Sequence, residues 1–123
     1  MSHAAVPVIG LVVRSAPYQQ RCARSQLDVA LVAAALEAPL RLYFLADAAL
    51  QLAGERDARS AGLPAGYRGW ASLTGMTRVS AFIEPGWLER MSELGITPLL
   101  PVKTRSKDQM RADWHKCARL LVL

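Results

Sequence analysis

Short apolar runs alternate with amphipathic stretches along the chain, and that alternation is the pattern of a parallel sheet with helices laid over its faces. Residues 6–13 are rich in Val and Ile and run into Arg14, Ser15, Ala16 and Pro17, so they predict a buried first strand and its outgoing loop. From 19 to 38 there is no helix breaker, alanine is abundant, and Ala23, Leu27, Ala30, Leu31 and Ala34 recur on one helical face. A long helix follows from this. Pro39 ends it, because proline lacks the amide hydrogen and disfavours helix in the residue before it. Residues 40–45 predict a second buried strand, and 46–52 a short helix whose Asp47 suits the positive end of the helix dipole.

The stretch 54–69 is polar, basic and glycine-rich, with Pro64 between Gly62 and Gly66, and predicts the longest loop of the chain. Beyond it the pattern predicts a helix around 70–73, a strand at 79–83, and a helix over 85–94 opened by Pro85 and closed by Gly95. A strand near 97–100, a helix near 107–114 and a last strand at 118–122 complete the series. The sum is an α/β fold: one open, mostly parallel, five-stranded sheet with helices on both faces, Rossmann-like in plan, forming a single domain over residues 1–123. Such sheets bind ligands and partners at the carboxyl ends of their strands, which here are the loops 14–20, 46–47, 84–86 and 101–105.

Composition narrows the function classes. With 52% hydrophobic and 20% charged residues, the 123-residue chain has the apolar material for a packed core. No apolar run approaches the roughly 20 residues that cross a bilayer. Residues 1–5 lack the Lys or Arg of a secretory signal, and a cytoplasmic location is the expectation. The two cysteines, Cys22 and Cys117, stand at no metal-ligand spacing with His3 or His115, which argues against structural zinc and predicts free thiols. A net charge of +5 and a pI near 9.8 invite nucleic acid, yet the basic residues are dispersed. Their densest group, Lys103, Arg105, Lys107 and Arg111, lacks the interleaved aromatics of a single-strand binder. A solvated surface or an acidic protein partner is expected, with no direct nucleic-acid binding. Gly62, Gly66 and Gly69 lack the preceding strand and the Lys-Ser/Thr pair of a phosphate-binding loop.

Two segments carry a family resemblance. Arg14-Ser15-Ala16-Pro17-Tyr18, followed by Ala23-Arg24 and Leu27-Asp28, resembles the strand-loop-helix opening of the DsrF/TusC branch of the DsrE/DsrF-like proteins. Tyr43-Phe44-Leu45-Ala46-Asp47, followed by Leu50-Gln51-Leu52, is similar to the family's second strand and its Asp-led helix. A looser likeness through Arg78-Val79 and Gly95-Ile96 extends it over nearly the whole chain. The resemblance implies a hetero-oligomer of small homologous subunits, with DsrE/TusD-like and DsrH/TusB-like partners and a DsrC/TusE-like sulfur acceptor. Such assemblies pass persulfide sulfur toward tRNA thiolation or serve sulfur oxidation, and no cofactor is implied. Sulfur-carrying members hold a cysteine near the end of the third main strand, whereas here that stretch reads Val79-Ser80-Ala81-Phe82-Ile83-Glu84-Pro85. Neither Ser80 nor Glu84 can carry a persulfide, so the expectation is a non-catalytic subunit of a sulfurtransferase complex.

Individual residues leave alternatives open. Cys22, near the start of the first helix with Arg21 and Arg24 beside it, is the thiol candidate for a self-contained sulfur carrier, set against an inert small helix residue. Cys117, two residues after His115, reads as packing at a strand entrance, with a strand-borne Cys/His pair as the alternative. Arg24 and Asp28, four apart on a helix, form a surface pair or shape a subunit interface. Asp47 serves the helix dipole or a partner at the sheet edge, and Arg14, Ser15, Tyr18 and Glu84 lie in the loops expected to meet a partner. Of Trp70, Trp87 and Trp114, Trp87 is the one expected to be exposed as an interface anchor. A small-ligand-binding module is the remaining reading, resting on fold alone.

Overall fold

The computed structural model describes residues 8–14, 20–35, 39–63, 68–76 and 78–123, with the backbone alone at 20–25 and 55. The predicted strand start at 6–7, the helix end at 36–38 and the loop residues 15–19 and 64–67 lie outside the described residues. Five strands, β1 (Ile9–Val13), β2 (Leu40–Phe44), β3 (Val79–Ile83), β4 (Lys103–Thr104) and β5 (Arg119–Val122), form one sheet in the order β4-β3-β2-β1-β5. Every pairing is parallel. The α-helices are α1 (Gln20–Ala35), α2 (Glu55–Ser60), α3 (Pro85–Glu93) and α4 (Lys107–Lys116), with 3-10 helices at Ala46–Leu52 and Arg68–Leu73.

Strand order dictates which face each helix covers. From β1 to β4 the chain steps along the sheet in one direction, and right-handed crossovers place all those connections on one face. The return from β4 to β5 runs the other way, so α4 is delivered to the opposite face. Alternation in the strands matches this division. Leu11, Val13, Leu40, Leu42, Phe44, Ala81 and Ile83 point to the crowded face, where they pack with Leu27, Ala30, Leu52, Ala58, Trp70 and Met91. Tyr43 and Val12 point to the other face, where Tyr43 meets the Trp114 ring of α4 edge-on at 5.8 Å.

A sheet of five strands is about 19 Å wide at 4.8 Å per strand, while a helix with its side chains is about 10–12 Å across. One helix cannot cover that width. The α4 face is therefore left open on both sides of the helix: toward β5, where Leu120 and Val122 are 38% and 52% exposed, and toward β3 and β4. β5 is also an edge strand, and Leu121 on its other face is 42% exposed.

The crowded side is held by more than apolar packing. Gln51 Nε2 donates to Gln26 Oε1 at 2.8 Å, and Trp70 Nε1 donates to Gln51 Oε1 at 3.2 Å. Both glutamines are buried, so these bonds offset a desolvation cost that would otherwise count against the fold. Two helix ends are closed by their local sequence, and of these the Gly95 end was legible in the chain. Gly95 adopts φ +74 after α3, with its N–H on the Ser92 carbonyl and that of Ile96 on Met91, the double bond of a Schellman cap. Ser106 caps α4, accepting from Gln109 N at 3.2 Å while Ser106 N donates to Gln109 Oε1 at 2.9 Å.

Two expectations are overturned. The expected loop over 54–69 contains α2, a six-residue helix in which Ala58 is the one buried side chain among those described, so it shows no apolar periodicity. The expected strand near 97–100 is not one. Pro98 makes a single antiparallel bridge to Ala53, and the fourth strand lies further on at Lys103–Thr104, polar and exposed.

Gly10 in β1 leaves no room for a side chain on the α4 side: a Cβ there would lie 2.8 Å from both Cys117 Sγ and Leu120 Cδ1. Gly10→Ala is expected to destabilise the fold by about 1–3 kcal/mol through overpacking. Urea unfolding checks it, and Cys117→Ala should recover part of the loss.

Candidate functional site

Because all strands are parallel, their carboxyl ends open on one edge, and the chain leaves it at Arg14, Leu45, Glu84, Arg105 and Leu123. Backbone bonds prolong the ladder past the strands: Leu45 N donates to Val13 O at 3.0 Å, and Arg105 N to Ile83 O at 3.0 Å. Ala46 then turns with φ +50, a left-handed conformation that costs an L residue about 1–2 kcal/mol. Its N–H donates to Glu84 Oε1 at 3.0 Å. The Glu84 carboxylate thus ties the end of β3 to the strained turn after β2, and with it Asp47, which is half-buried and has a polar partner of its own.

Of the other residues expected at this edge, Arg14 is exposed and its Nε lies 3.5 Å from the Leu123 carbonyl, too long for a strong bond. Trp87 is half-buried rather than exposed. It packs on the core, and Arg90 stacks over its ring at 4.9 Å. Asp28 is exposed on α1 and has a polar partner. Ser15 and Tyr18 lie outside the described residues, as do the side chains of Cys22 and Arg24, which belong to the first turns of α1.

A second cluster fastens α4 to the sheet. Asp113 is buried, and Arg105 grips its carboxylate with two bonds, Nε to Oδ2 at 3.0 Å and a terminal nitrogen to Oδ1 at 2.5 Å. Tyr43 Oη donates to Asp113 Oδ2 at 3.2 Å. Burial pushes the Tyr43 phenol up to about 12, reinforced by the Asp113 and Cys117 charges and opposed by the Arg41 side chain within hydrogen-bonding reach. At neutral pH it remains a donor. The Tyr43 ring stacks on Phe82 at 5.2 Å.

Cys117 sits at the end of α4, its Sγ 3.5 Å from the Asp113 carbonyl. Burial raises its pKa, Asp113 adds to this, and Arg41 opposes it. It is a packed, protonated thiol rather than an activated one. The Cys/His pair on one strand face does not form, because His115 belongs to the last turn of α4 and Cys117 is its cap.

Beside this cluster, between α4 and strands β2 to β4, opens a cleft of about 540 Å³ lined by Arg41, Ser80, Phe82, Lys103, Thr104, Arg105, Asp113 and Lys116. The sequence placed Lys103 and Arg105 in the densest basic group and in the carboxyl-end loop 101–105, but Arg41, Asp113 and Lys116 were passed over. The available signal was Arg41 itself, a charge inside the apolar strand at 40–45. Lys107 and Arg111 do not line the cleft, and Arg111 lies 4.0 Å from Asp108 in an exposed pair.

The architecture defines a class: an α/β protein with a five-stranded, all-parallel sheet of DsrE-like fold. The solved structure of the YchN protein from E. coli shares it, with a TM-score of 0.71 over 95% of this chain and 99% of that one at 15% sequence identity. That likeness shows the fold and does not distinguish a branch. No protein-family model and no curated protein matches the chain.

Tyr43→Phe is expected to cost about 1–2 kcal/mol at pH 7 by removing the phenol donor to a buried carboxylate. The folded pKa is raised, so the Tyr43 contribution is full below pH 10 and is lost as pH rises through about 12. Denaturant unfolding of both proteins from pH 7 to pH 12 should show wild type losing stability relative to Tyr43→Phe above pH 10.

Proposed function

We propose that this chain is an accessory, non-catalytic subunit of a cytoplasmic sulfur-relay assembly, of the DsrF/TusC-like kind. Its partners would be homologous DsrE/TusD-like and DsrH/TusB-like chains, with a DsrC/TusE-like protein receiving the sulfur. The observation that carries this reading is Glu84. At the end of the third strand, where the family resemblance calls for a cysteine in sulfur-carrying members, a carboxylate is committed to the Ala46 amide. A carboxylate holds no sulfane sulfur, so in this reading the transferred atom rides on a cysteine of another subunit. Three further features support the reading: the DsrE-like fold, the protonated state of Cys117, and the apolar edge strand β5, which suits a subunit surface.

The test is purification of the tagged chain from its native host under gentle conditions, followed by size-exclusion chromatography with light scattering and mass spectrometry. A stable hetero-oligomer with homologous small α/β chains, at least one bearing the third-strand cysteine, is expected. A chain that elutes alone as a monomer contradicts the proposal.

A further inference from the structure

The cleft on the α4 face is chemically one-sided. Arg41, Lys103, Arg105 and Lys116 line it with one carboxylate, Asp113, and that carboxylate is already gripped by Arg105 and bonded by Tyr43. Among the described residues no carboxylate pairs with Arg41, Lys103 or Lys116. The remaining polar groups on the wall are the Ser80 and Thr104 hydroxyls, which can also donate. An acceptor-only ligand with at least one negative charge satisfies such a wall, and an oxyanion of the phosphate type is the chemistry that does so.

Register explains the convergence. Arg41 is paired with Ser80 across β2 and β3, and Phe82 is paired with Lys103 across β3 and β4, so these four residues share the face that α4 leaves open. Lys116 reaches the same space from the last turn of α4. The Arg105–Asp113–Tyr43 bonds fix the helix against the strands and so set the width of the opening. At about 540 Å³ the cleft lies within the usual range for small-molecule sites, and Phe82 supplies an aromatic wall beside the cations. Volume and lining fit a ligand that carries a flat or apolar body as well as its phosphate. A single-stranded nucleic acid instead needs a track several nucleotides long.

We propose that this cleft binds a phosphate-bearing small molecule of about nucleotide size, with the phosphate held by Arg41, Lys103 and Lys116. The proposal does not depend on the sulfur-relay reading.

Isothermal titration at low salt tests it with AMP, adenosine, inorganic phosphate and a twelve-nucleotide RNA. The proteins are the wild-type chain and its Arg41→Gln, Lys103→Gln, Lys116→Gln and Lys107→Gln variants, with circular dichroism confirming each fold. AMP is expected to bind at least tenfold more tightly than adenosine or inorganic phosphate. Lys103→Gln and Lys116→Gln, both at exposed positions, should each weaken AMP about tenfold, as should Arg41→Gln, while Lys107→Gln leaves it unchanged. No binding of AMP at millimolar concentration overturns the proposal. So does equal affinity for adenosine or inorganic phosphate, equal losses in Lys107→Gln, or RNA binding without AMP binding.

Discussion

The carboxylate of Asp113 is the point on which the second face of this molecule depends. A single helix must be held across a sheet nearly twice its width, with few apolar contacts to do it, and a buried charge does the holding. Arg105 comes from just past the carboxyl end of β4 and Tyr43 from the carboxyl half of β2, so one side chain fixes α4 to two separate strands. Arg105 is 33% exposed and Asp113 8%, which lets the guanidinium keep part of its hydration while the carboxylate gives up most of its own. Direction as well as stability follows from this bond: it decides how α4 lies and therefore which part of the sheet stays open.

The two faces divide the work. The crowded face carries the hydrophobic core and its glutamine-indole chain, while the α4 face carries the charged residues and the open sheet. Between them runs the carboxyl edge, where parallel topology brings the exit of every strand together. Glu84 sits there as a structural acceptor, supporting the left-handed Ala46 in the next turn. In the sulfur-relay assembly proposed above, that leaves this chain to supply shape and contact surface.

Much of this was legible in the chain. The β1, β2 and β3 strands, α1, α3, α4 and the 3-10 helix at Ala46–Leu52 follow from apolar period, Pro39, Pro85 and Gly95, because each of these elements buries a regular face or meets an unambiguous stop. What failed was local order without burial. α2 is Glu-Arg-Asp-Ala-Arg-Ser, polar but for Ala58, and its helix shows no stripe. The 97–100 stretch looked like a strand because it is apolar, but Pro98 has no N–H to give a ladder, and the Leu99 amide instead donates to the Leu52 carbonyl at 2.7 Å. The cleft was missed for a different reason. Arg41, Lys103 and Lys116 are 13 or more residues apart in sequence, and only strand register and the reversed return of α4 bring them to one wall.

The central claim is that this chain takes part in sulfur relay without carrying the sulfur itself. Intact mass spectrometry after incubation with a persulfide donor tests it most directly, comparing wild type with Cys22→Ser and Cys117→Ser. The account predicts that the isolated chain gains no sulfur in any of the three. A gain of one sulfur in wild type that disappears only in Cys22→Ser would contradict it and make the chain a carrier in its own right.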